Sequence, residues 1–355
     1  MSGGPGAGVR PDAEHPARWW ERAGDGRAHC FLCPRHCRLR DGQTGFCAIR
    51  ANHGGRLMAL AYGRSAAAHV DPIEKKPLFH FLPGSGVFSL GATGCDLRCV
   101  FCQNWELSRA PAATDLPFVP PAAVVDHAAE LDCPAIAFTY NEPTIWAEYV
   151  GDVAAAARER GIATVLVTNG YVTPEAFADL YEHVAAANVD LKAMSDEFYR
   201  RRTGARLAPV LETLRRIARE TPTWLEITNL VVPTLNDGDD DLKRLADWVV
   251  AELGPDVPVH FTAFHPDCDL RDLPRTGADR LAVARRIARA AGLQFVYEGN
   301  VPGAGGHTDC PGCGTVLVRR SWHELLENRI VAGRCPRCDR VIPGRWETAW
   351  PGEVR

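Results

Sequence analysis

Three cysteines with the spacing CxxxCxxC form the stretch of this chain with the clearest chemical meaning. Cys95, Cys99 and Cys102 follow directly after a strand-like run at residues 87–90. Cysteine thiolates are the usual ligands of iron–sulfur clusters, so three on one short loop can hold three irons of a 4Fe–4S cube. The fourth iron would remain open to a small molecule. A zinc knuckle is the alternative, but it needs a fourth ligand close by, and the sequence offers none there.

Two CxxC pairs near the C-terminus predict a different metal site. Cys310 pairs with Cys313 and Cys335 pairs with Cys338, with 21 residues between the pairs. In a zinc ribbon each CxxC turn gives two thiolates to a tetrahedral Zn²⁺. A redox dithiol and a rubredoxin-like iron site are the alternatives. The presence of two paired turns favours zinc.

A third group of cysteines lies near the N-terminus, and its metal stays open at this stage. Cys30, Cys33, Cys37 and Cys47 can close a zinc site of four thiolates or hold a second iron–sulfur cluster. Both sites need four thiolates on a tight loop, and spacing alone does not choose between them. We expect a bound metal with a structural role.

Composition indicates a cytoplasmic metalloprotein with no membrane segment. The chain has 355 residues, 13 cysteines and a net charge of −4. So many cysteines in an apparently cytosolic chain favour metal ligation over disulfides. No apolar run approaches the roughly 20 residues that cross a bilayer. Residues 1–18 are rich in Gly, Pro and Ala and are predicted to be a disordered lead.

Strand-like and helix-like segments alternate through the middle of the chain, which predicts an α/β fold. The predicted strands are 87–90, 135–139, 163–168, 187–191, 224–232, 259–264 and 293–297. The predicted helices are 122–131, 144–160, 174–185, 209–219, 239–253 and 278–291. A capping hydroxyl from Thr173 and Pro at the first helical position mark the third of these helices. Such alternation favours a parallel sheet closed or part-closed into a (β/α) barrel.

Polar residues follow the predicted strands, where barrels of this kind carry their active-site groups. The first strand leads into the CxxxCxxC loop. The later strand ends carry Asn141 and Glu142, then Asn169, then Asp190 and Lys192, then Thr228 and Asn229, and finally His265. A turn or capping role is the alternative for any one of them. Delivery from six successive strands to one rim favours a shared site.

These motifs resemble those of radical S-adenosylmethionine (SAM) enzymes. Asn-Glu-Pro at 141–143 takes the place of the Gly-Gly-Glu-like motif of that superfamily. Thr-Asn-Gly at 168–170, Asp-Leu-Lys at 190–192 and Val-Val-Pro at 231–233 are similar to pyruvate formate-lyase-activating enzyme and its relatives. From about residue 30 to 346 the chain more closely resembles the AmmeMemoRadiSam system radical SAM enzymes. That match rests on Cys-x-Leu-Cys-Pro-x-x-Cys at 30–37, Pro-Ile-Glu-Lys-Lys-Pro-Leu at 72–78, Tyr-Asn-Glu-Pro-Thr at 140–144 and Gly-Asn-Val-Pro-Gly at 299–303.

The resemblance implies a reaction, its cofactors and a set of residue roles. A 4Fe–4S cluster would reductively cleave SAM to methionine and a 5′-deoxyadenosyl radical, which abstracts hydrogen from an unidentified substrate. An external electron donor is required. The implied iron ligands and catalytic core are Cys95, Cys99 and Cys102. Asn141 and Glu142 would orient the SAM amino group. Contacts with SAM or substrate are assigned to Asn169, Asp190, Lys192 and His265, although a structural role for His265 is equally open.

The predicted organisation is a disordered lead (1–18), an N-terminal Cys-rich module (19–85), a radical SAM partial barrel (86–303) and a C-terminal zinc ribbon (304–355). The leading function is a radical SAM oxidoreductase-type enzyme acting on a small molecule, a protein or an RNA. Within that class, activation of a glycyl-radical enzyme stays open. The alternative is a zinc-ribbon protein that binds nucleic acid or a partner and uses the barrel as scaffold.

Charge is uneven along the chain and bears on partners. Residues 30–56 carry a net charge of +4, and residues 316–345 carry the same. Basic Cys-rich lobes can grip RNA or an acidic protein, but arginines that simply solvate small metal modules are the simpler interpretation. The segment 71–80, with two adjacent lysines and a histidine, is interpreted as a solvated charged turn in preference to an anion site.

Overall fold

The computed structural model describes residues 15–301 and 304–347. Two small antiparallel sheets build the N-terminal module, and their strands are β1 (His15–Pro16), β2 (Trp20–Arg22), β3 (Ala28–Cys30), β4 (Arg38–Leu39), β5 (Arg50–His53) and β6 (Arg56–Ala59). One sheet has the order β2-β3-β4 and the other β1-β6-β5. Of the predicted disordered lead, residues 1–14 lie outside the described residues. Its last part differs from the prediction, because β1 pairs with β6.

An eight-stranded sheet forms the centre of the molecule. Its strands are β7 (Ala67–Pro72), β8 (Gly86–Gly91), β9 (Ala135–Phe138), β10 (Ala163–Thr168), β11 (Ala186–Asp190), β12 (Trp224–Val231), β13 (Val259–Ala263) and β14 (Val296–Gly299). They lie side by side in chain order. β7 runs antiparallel to β8, and the pairs from β8 to β14 are parallel. The prediction of an α/β fold with parallel strands is confirmed.

Helices alternate with the parallel strands, as their hydrophobic periodicity predicts. They are α1 (Trp105–Ser108), α2 (Pro121–Glu130), α3 (Ala147–Glu159), α4 (Pro174–Tyr181), α5 (Asp196–Phe198), α6 (Leu207–Glu220), α7 (Asp239–Glu252) and α8 (Ala278–Ala290). Short 3-10 turns occupy Ile73–Lys75, Pro143–Trp146 and Ala304–Gly306, and a π-helical turn occupies Tyr199–Thr203. Within the described residues, no helix combines the length and the apolar character needed to cross a bilayer.

The starts of α7 and α4 both carry residues that favour a helix N-terminus. Three aspartates, Asp239 to Asp241, occupy the first turn of α7, where the helix dipole favours negative charge. Thr173 precedes α4 and Pro174 takes its first position, but the Thr173 side chain does not cap the helix. Its hydroxyl donates to the Phe31 carbonyl at 2.6 Å instead. The Thr173 side chain therefore does not cap the helix but links the central domain to the N-terminal module.

The C-terminal module packs directly on the central sheet. Its strands are β15 (Thr308–Asp309), β16 (Val316–Ser321) and β17 (Glu324–Asn328). Leu317 and Val318 share one buried apolar cluster with Phe295 and Tyr297, which lie on the central domain. The two parts therefore have a common core.

The segment 71–80 is buried, so its interpretation as a solvated turn is wrong. Lys76 is 1% exposed and pairs with Asp71 at 2.6 Å, while Glu74 pairs with Arg320 of the C-terminal module. His80 is fully buried, and burial lowers its pKa to about 4. β7 also lies inside the range predicted for the N-terminal module, 19–85, yet belongs to the central sheet. The segment joins the sheet to the C-terminal module.

Candidate functional site

The carboxyl ends of the parallel strands surround one cavity of about 460 Å³. This volume is in the range of small-molecule sites in proteins, roughly 300–1,000 Å³. Most of the sequence-predicted site residues line it: Cys95, Cys99, Cys102, Asn141, Glu142, Asn169, Asp190 and Lys192. Thr228 on β12 lines it as well, so five successive strands, β8 to β12, deliver side chains to one space.

The cysteine loop has a conformation that its glycine makes possible. Gly94 precedes Cys95 and has φ of +82°, and a Cβ at this position would overlap the carbonyl oxygen of Cys47. Farther along the loop, the backbone N–H groups of Arg98 and Val100 each donate at 2.9 Å to carbonyl oxygens of the π-helical turn. The loop is thus fixed from both sides, against the N-terminal module and against the helical segment after β11.

The three thiols suit a multi-iron cluster better than a single ion. They face the same cavity, yet they do not form a group of ligand atoms within 4.8 Å of one another; among the described residues only the C-terminal cysteines do. Burial raises the pKa of Cys99 to about 12, although the nearby Lys192 ammonium acts in the opposite direction. Bound metal favours the thiolate, because coordination removes the proton. This donor set fits a 4Fe–4S cube held at three corners.

Asn141 holds the cysteine loop through its backbone. Its side-chain oxygen accepts from the Ala92 N–H at 3.1 Å, and its amide nitrogen donates to the carbonyls of Thr93 and Gly94 at 3.2 and 3.1 Å. Every polar atom of the side chain is therefore bonded to the segment that leads into Cys95. The geometry makes Asn141 a positioning residue for the loop.

Glu142 is buried and its carboxylate has a full set of partners. One oxygen accepts from the Thr144 N–H at 2.9 Å and from the Thr168 hydroxyl at 2.6 Å, and the other accepts from the Asn169 N–H at 2.7 Å. These bonds tie the end of β9 to the end of β10. Glu142 lines the cavity, but its hydrogen bonds go to the protein frame.

Asp96 is a buried carboxyl that the sequence analysis missed. It is 0% exposed and accepts from the Asn169 side chain at 2.8 Å. Burial, and then the negative charge of Glu142, raise its pKa to about 8. Its second oxygen has no partner among the described residues. Asp96 lies between two cysteines of the CxxxCxxC motif at a position where the motif specifies no residue, so the sequence did not single it out.

Asp190 and Lys192 form an ion pair on the cavity wall. Their charged atoms lie 3.1 Å apart, and both side chains line the cavity. Burial disfavours the charge on Lys192, but the negative charge of Asp190, and then that of Cys99 as a thiolate, raise its pKa above the ordinary value. A fixed positive charge therefore faces the cysteine loop and any anionic group bound there.

A second charged wall comes from the segment that was interpreted as solvated. Lys75, Lys76 and Tyr140 line the cavity. Asp71 binds all three, through salt bridges at 2.8 and 2.6 Å and the Tyr140 hydroxyl at 2.5 Å. These bonds hold its pKa well below the usual range, although burial opposes this. The two lysines are close to Asp71 in the sequence, whereas Tyr140 is 69 residues away, so the local pattern does not reveal that contact.

His265 lies beside the cavity and is absent from its lining. Its side chain is 41% exposed, and its Nδ1 lies 2.9 Å from the amide nitrogen of Gln103, which does line the cavity. The geometry thus gives His265 an indirect connection to the site. Its predicted contact with adenine or substrate stays a prediction.

The C-terminal cysteines form a compact group of four sulfurs. Sγ of Cys310 lies 3.5 Å from that of Cys338, and Sγ of Cys313 lies 3.7 Å from that of Cys335. All four lie within 4.8 Å of one another. Zn–S bonds of about 2.3 Å in a tetrahedron put sulfurs roughly 3.8 Å apart. The predicted grouping into a four-cysteine site is confirmed.

Comparison with known proteins places this site in a family. The sequence profile of the Radical SAM superfamily matches residues 90–249, which contain the cysteine loop and the ends of β9 to β12. Residues 90–249 therefore form a radical SAM domain. The chain is an enzyme, and the superfamily reaction implies a 4Fe–4S cluster and SAM. The three thiols and the cavity described above fit both.

Relatives extend this similarity beyond the matched segment. "Uncharacterized protein MJ0808" of Methanocaldococcus jannaschii is 44% identical over 331 residues, which are 92% of this chain and 98% of that protein. Pyruvate formate-lyase 1-activating enzyme of Escherichia coli K12 is 26% identical over 178 residues, 48% of this chain and 71% of that enzyme. Among solved structures, a radical SAM methyltransferase from Sphaerobacter thermophilus aligns with a TM-score of 0.49 and 17% identity, over 62% of this chain and 68% of that one.

Proposed function

We propose that this radical SAM enzyme binds its 4Fe–4S cluster through Cys95, Cys99 and Cys102. The observation that carries the proposal is the shared cavity, in which three thiols without a fourth cysteine face the polar groups of four further strand ends. When bound, the reduced cluster and SAM supply a 5′-deoxyadenosyl radical that removes a hydrogen atom from the substrate. An external donor supplies one electron per cleaved SAM.

The residues of the chain would bind, orient and shield the reactants. Asn141 holds the loop that carries the iron ligands, and Glu142 fixes Asn169 beside it. Lys192 offers a positive charge to the SAM carboxylate, because charge-assisted hydrogen bonds are the strong ones. Lys75 and Lys76, which share Asp71 as a partner, also line the cavity and are assigned to an anionic part of SAM or substrate. Direct contacts of Asn141, Glu142 and His265 with SAM remain part of the proposal.

We assign the chain to the AmmeMemoRadiSam system radical SAM enzymes on its full-length motif pattern, and we place it in the cytoplasm. Similarity to pyruvate formate-lyase 1-activating enzyme supports glycyl-radical activation as a second candidate within the same reaction class. For the C-terminal cysteines we propose Zn²⁺, because the sulfur separations fit a tetrahedral ion. The alternative in which the barrel is only a scaffold is not retained, because the chain is an enzyme.

The test is the cleavage of SAM by anaerobically reconstituted protein. With dithionite, wild-type protein should convert SAM to methionine and 5′-deoxyadenosine without added substrate. A Cys95→Ala, Cys99→Ala, Cys102→Ala variant should form at least 100-fold less, while Cys133→Ala, outside all three cysteine groups, should match wild type. Equal 5′-deoxyadenosine from the triple variant would refute the assignment.

A further inference from the structure

The N-terminal cysteines surround a cavity of their own. Cys30 ends β3, Cys33 and Cys37 lie on the connection to β4, and Cys47 lies on the connection to β5. All four line one small, partly enclosed pocket. Apolar side chains complete the wall: Leu32, Leu39, Phe46 and Ile145. Four thiols from two loops therefore converge on one partly enclosed space.

The spacing of these thiols argues against a single zinc ion. The C-terminal cysteines form a ligand group within 4.8 Å, and in the described part of the chain the N-terminal four do not form one, even as a set of three. A tetrahedral zinc needs sulfurs about 3.8 Å apart. A 4Fe–4S cube has one iron at each ligated corner, so its four thiolates stand farther apart around a larger body. Thiols that are not grouped closely enough for one ion favour the larger, multi-iron body.

Two arginines that line this cavity have buried N–H donors without a partner. Arg50 is 2% exposed, lines the cavity and pairs through Nη1 with the buried Glu148 at 2.8 Å. Its Nε is buried and has no partner among the described residues, and the same holds for Nη2 of Arg35, which also lines the cavity. Buried N–H donors are rarely left unpaired. Hydrogen bonds to thiolate and sulfide are the usual environment of iron–sulfur clusters.

This cavity adjoins the cysteine loop of the main site. The carbonyl oxygen of Cys47 lies against Gly94, and Nε of Arg35 donates to the Asp96 carbonyl at 2.8 Å. Asp96, the neighbour of Cys95 in the sequence, is thus bonded through its backbone to a residue that lines the N-terminal cavity.

We propose that Cys30, Cys33, Cys37 and Cys47 bind a second 4Fe–4S cluster, with one thiolate on every iron, next to the SAM-binding cluster. Its four ligands leave no iron open, so it does not bind SAM. The claim that this cluster lies next to a SAM-binding cluster rests on the proposed function. The claim that these four cysteines bind a cluster does not.

The test counts iron and sulfide in full-length protein after anaerobic reconstitution. Wild type should hold about eight irons and eight sulfides per chain, and the Cys95→Ala, Cys99→Ala, Cys102→Ala variant about four of each. A Cys30→Ala, Cys33→Ala, Cys37→Ala, Cys47→Ala variant should also hold about four, with Cys133→Ala as the matched control at the wild-type count. The reduced triple variant should give an EPR signal that SAM leaves unchanged. Fully reduced wild type should show magnetic broadening that both variants lack.

The possible outcomes separate this inference from the proposed function. If the triple variant binds no iron, or if wild type holds two zinc ions and the quadruple variant one, the second cluster is refuted. EPR signals without magnetic broadening in fully reduced wild type would refute the proposal that the two clusters are neighbours. About four irons in both wild type and triple variant would support this inference while the proposed function fails. The triple variant leaves the N-terminal module intact, so the test holds even if the quadruple variant does not fold.

Discussion

Single side chains around the cavity stabilise the loops that carry the proposed ligands. Glu142 illustrates this, since its carboxylate binds two backbone N–H groups and one hydroxyl, all within the protein. The sequence identifies it as a polar residue at a strand end but does not reveal how many partners it already has. A role in orienting SAM would therefore act mainly through Asn169, which Glu142 fixes.

Asn141 offers the clearest test at this scale. In Asn141→Ala the Ala92 N–H and two loop carbonyls lose their partners, and each unsatisfied buried group costs about 1–3 kcal/mol. We expect the reconstituted variant to lose iron to a chelator at least 10-fold faster than wild type. The exposed Asn328→Ala serves as the control. Iron loss at the wild-type rate from Asn141→Ala would show that the loop does not depend on this side chain.

At the scale of elements, the central sheet positions the site, and the C-terminal module is hydrogen-bonded to this sheet through the segment 71–80. Arg320 on β16 is fully buried and donates to the Phe79 carbonyl at 2.6 Å and to Thr308 at 3.0 Å, besides its pair with Glu74. Phe79 in turn donates its N–H to Glu226 on β12. This chain of bonds links the C-terminal cysteine module to a central strand.

Arg320→Met should accordingly destabilise the whole enzyme. Removing one partner of a buried ion pair costs about 3–5 kcal/mol, because the other charge stays buried and unpaired. Its neighbour Arg319 is exposed, so Arg319→Met should change the free energy of unfolding by at most about 0.5 kcal/mol. Urea unfolding followed by circular dichroism measures both. A similar small change for the two variants would show that the buried pair does not stabilise the contact between module and sheet.

Most elements were predictable because their signals are local. The parallel strands and the six long helices follow from apolar runs and helical periodicity, which act within one segment. β7 was missed because its sequence, Ala-Ala-His-Val-Asp-Pro, lies at the sheet edge and is largely exposed, so it lacks a buried apolar run. The segment 71–80 was misinterpreted because Glu74 and His80 meet partners more than 200 residues away. Charge pairing over such separations leaves no trace in a local pattern.

On the scale of the whole molecule, three groups of cysteines surround one catalytic domain. The N-terminal group touches the cysteine loop through Cys47 and Arg35, whereas the module of the C-terminal group contacts the segment 71–80 through Arg320. The spacing of the sulfurs distinguishes the groups, since only the C-terminal one, in the described chain, is compact enough for a single ion. The cysteine motifs located all three groups in the sequence, but only the fold brings the first two together.

The central claim is that Cys95, Cys99 and Cys102 leave one iron open for SAM. The most direct measurement is electron–nuclear double resonance on the reduced protein with SAM labelled with ¹⁵N at the amino group. We predict a ¹⁵N coupling strong enough to require an iron–nitrogen bond, present in wild type and absent in the Cys95→Ala, Cys99→Ala, Cys102→Ala variant. A wild-type spectrum without that coupling, at saturating SAM, would contradict the account.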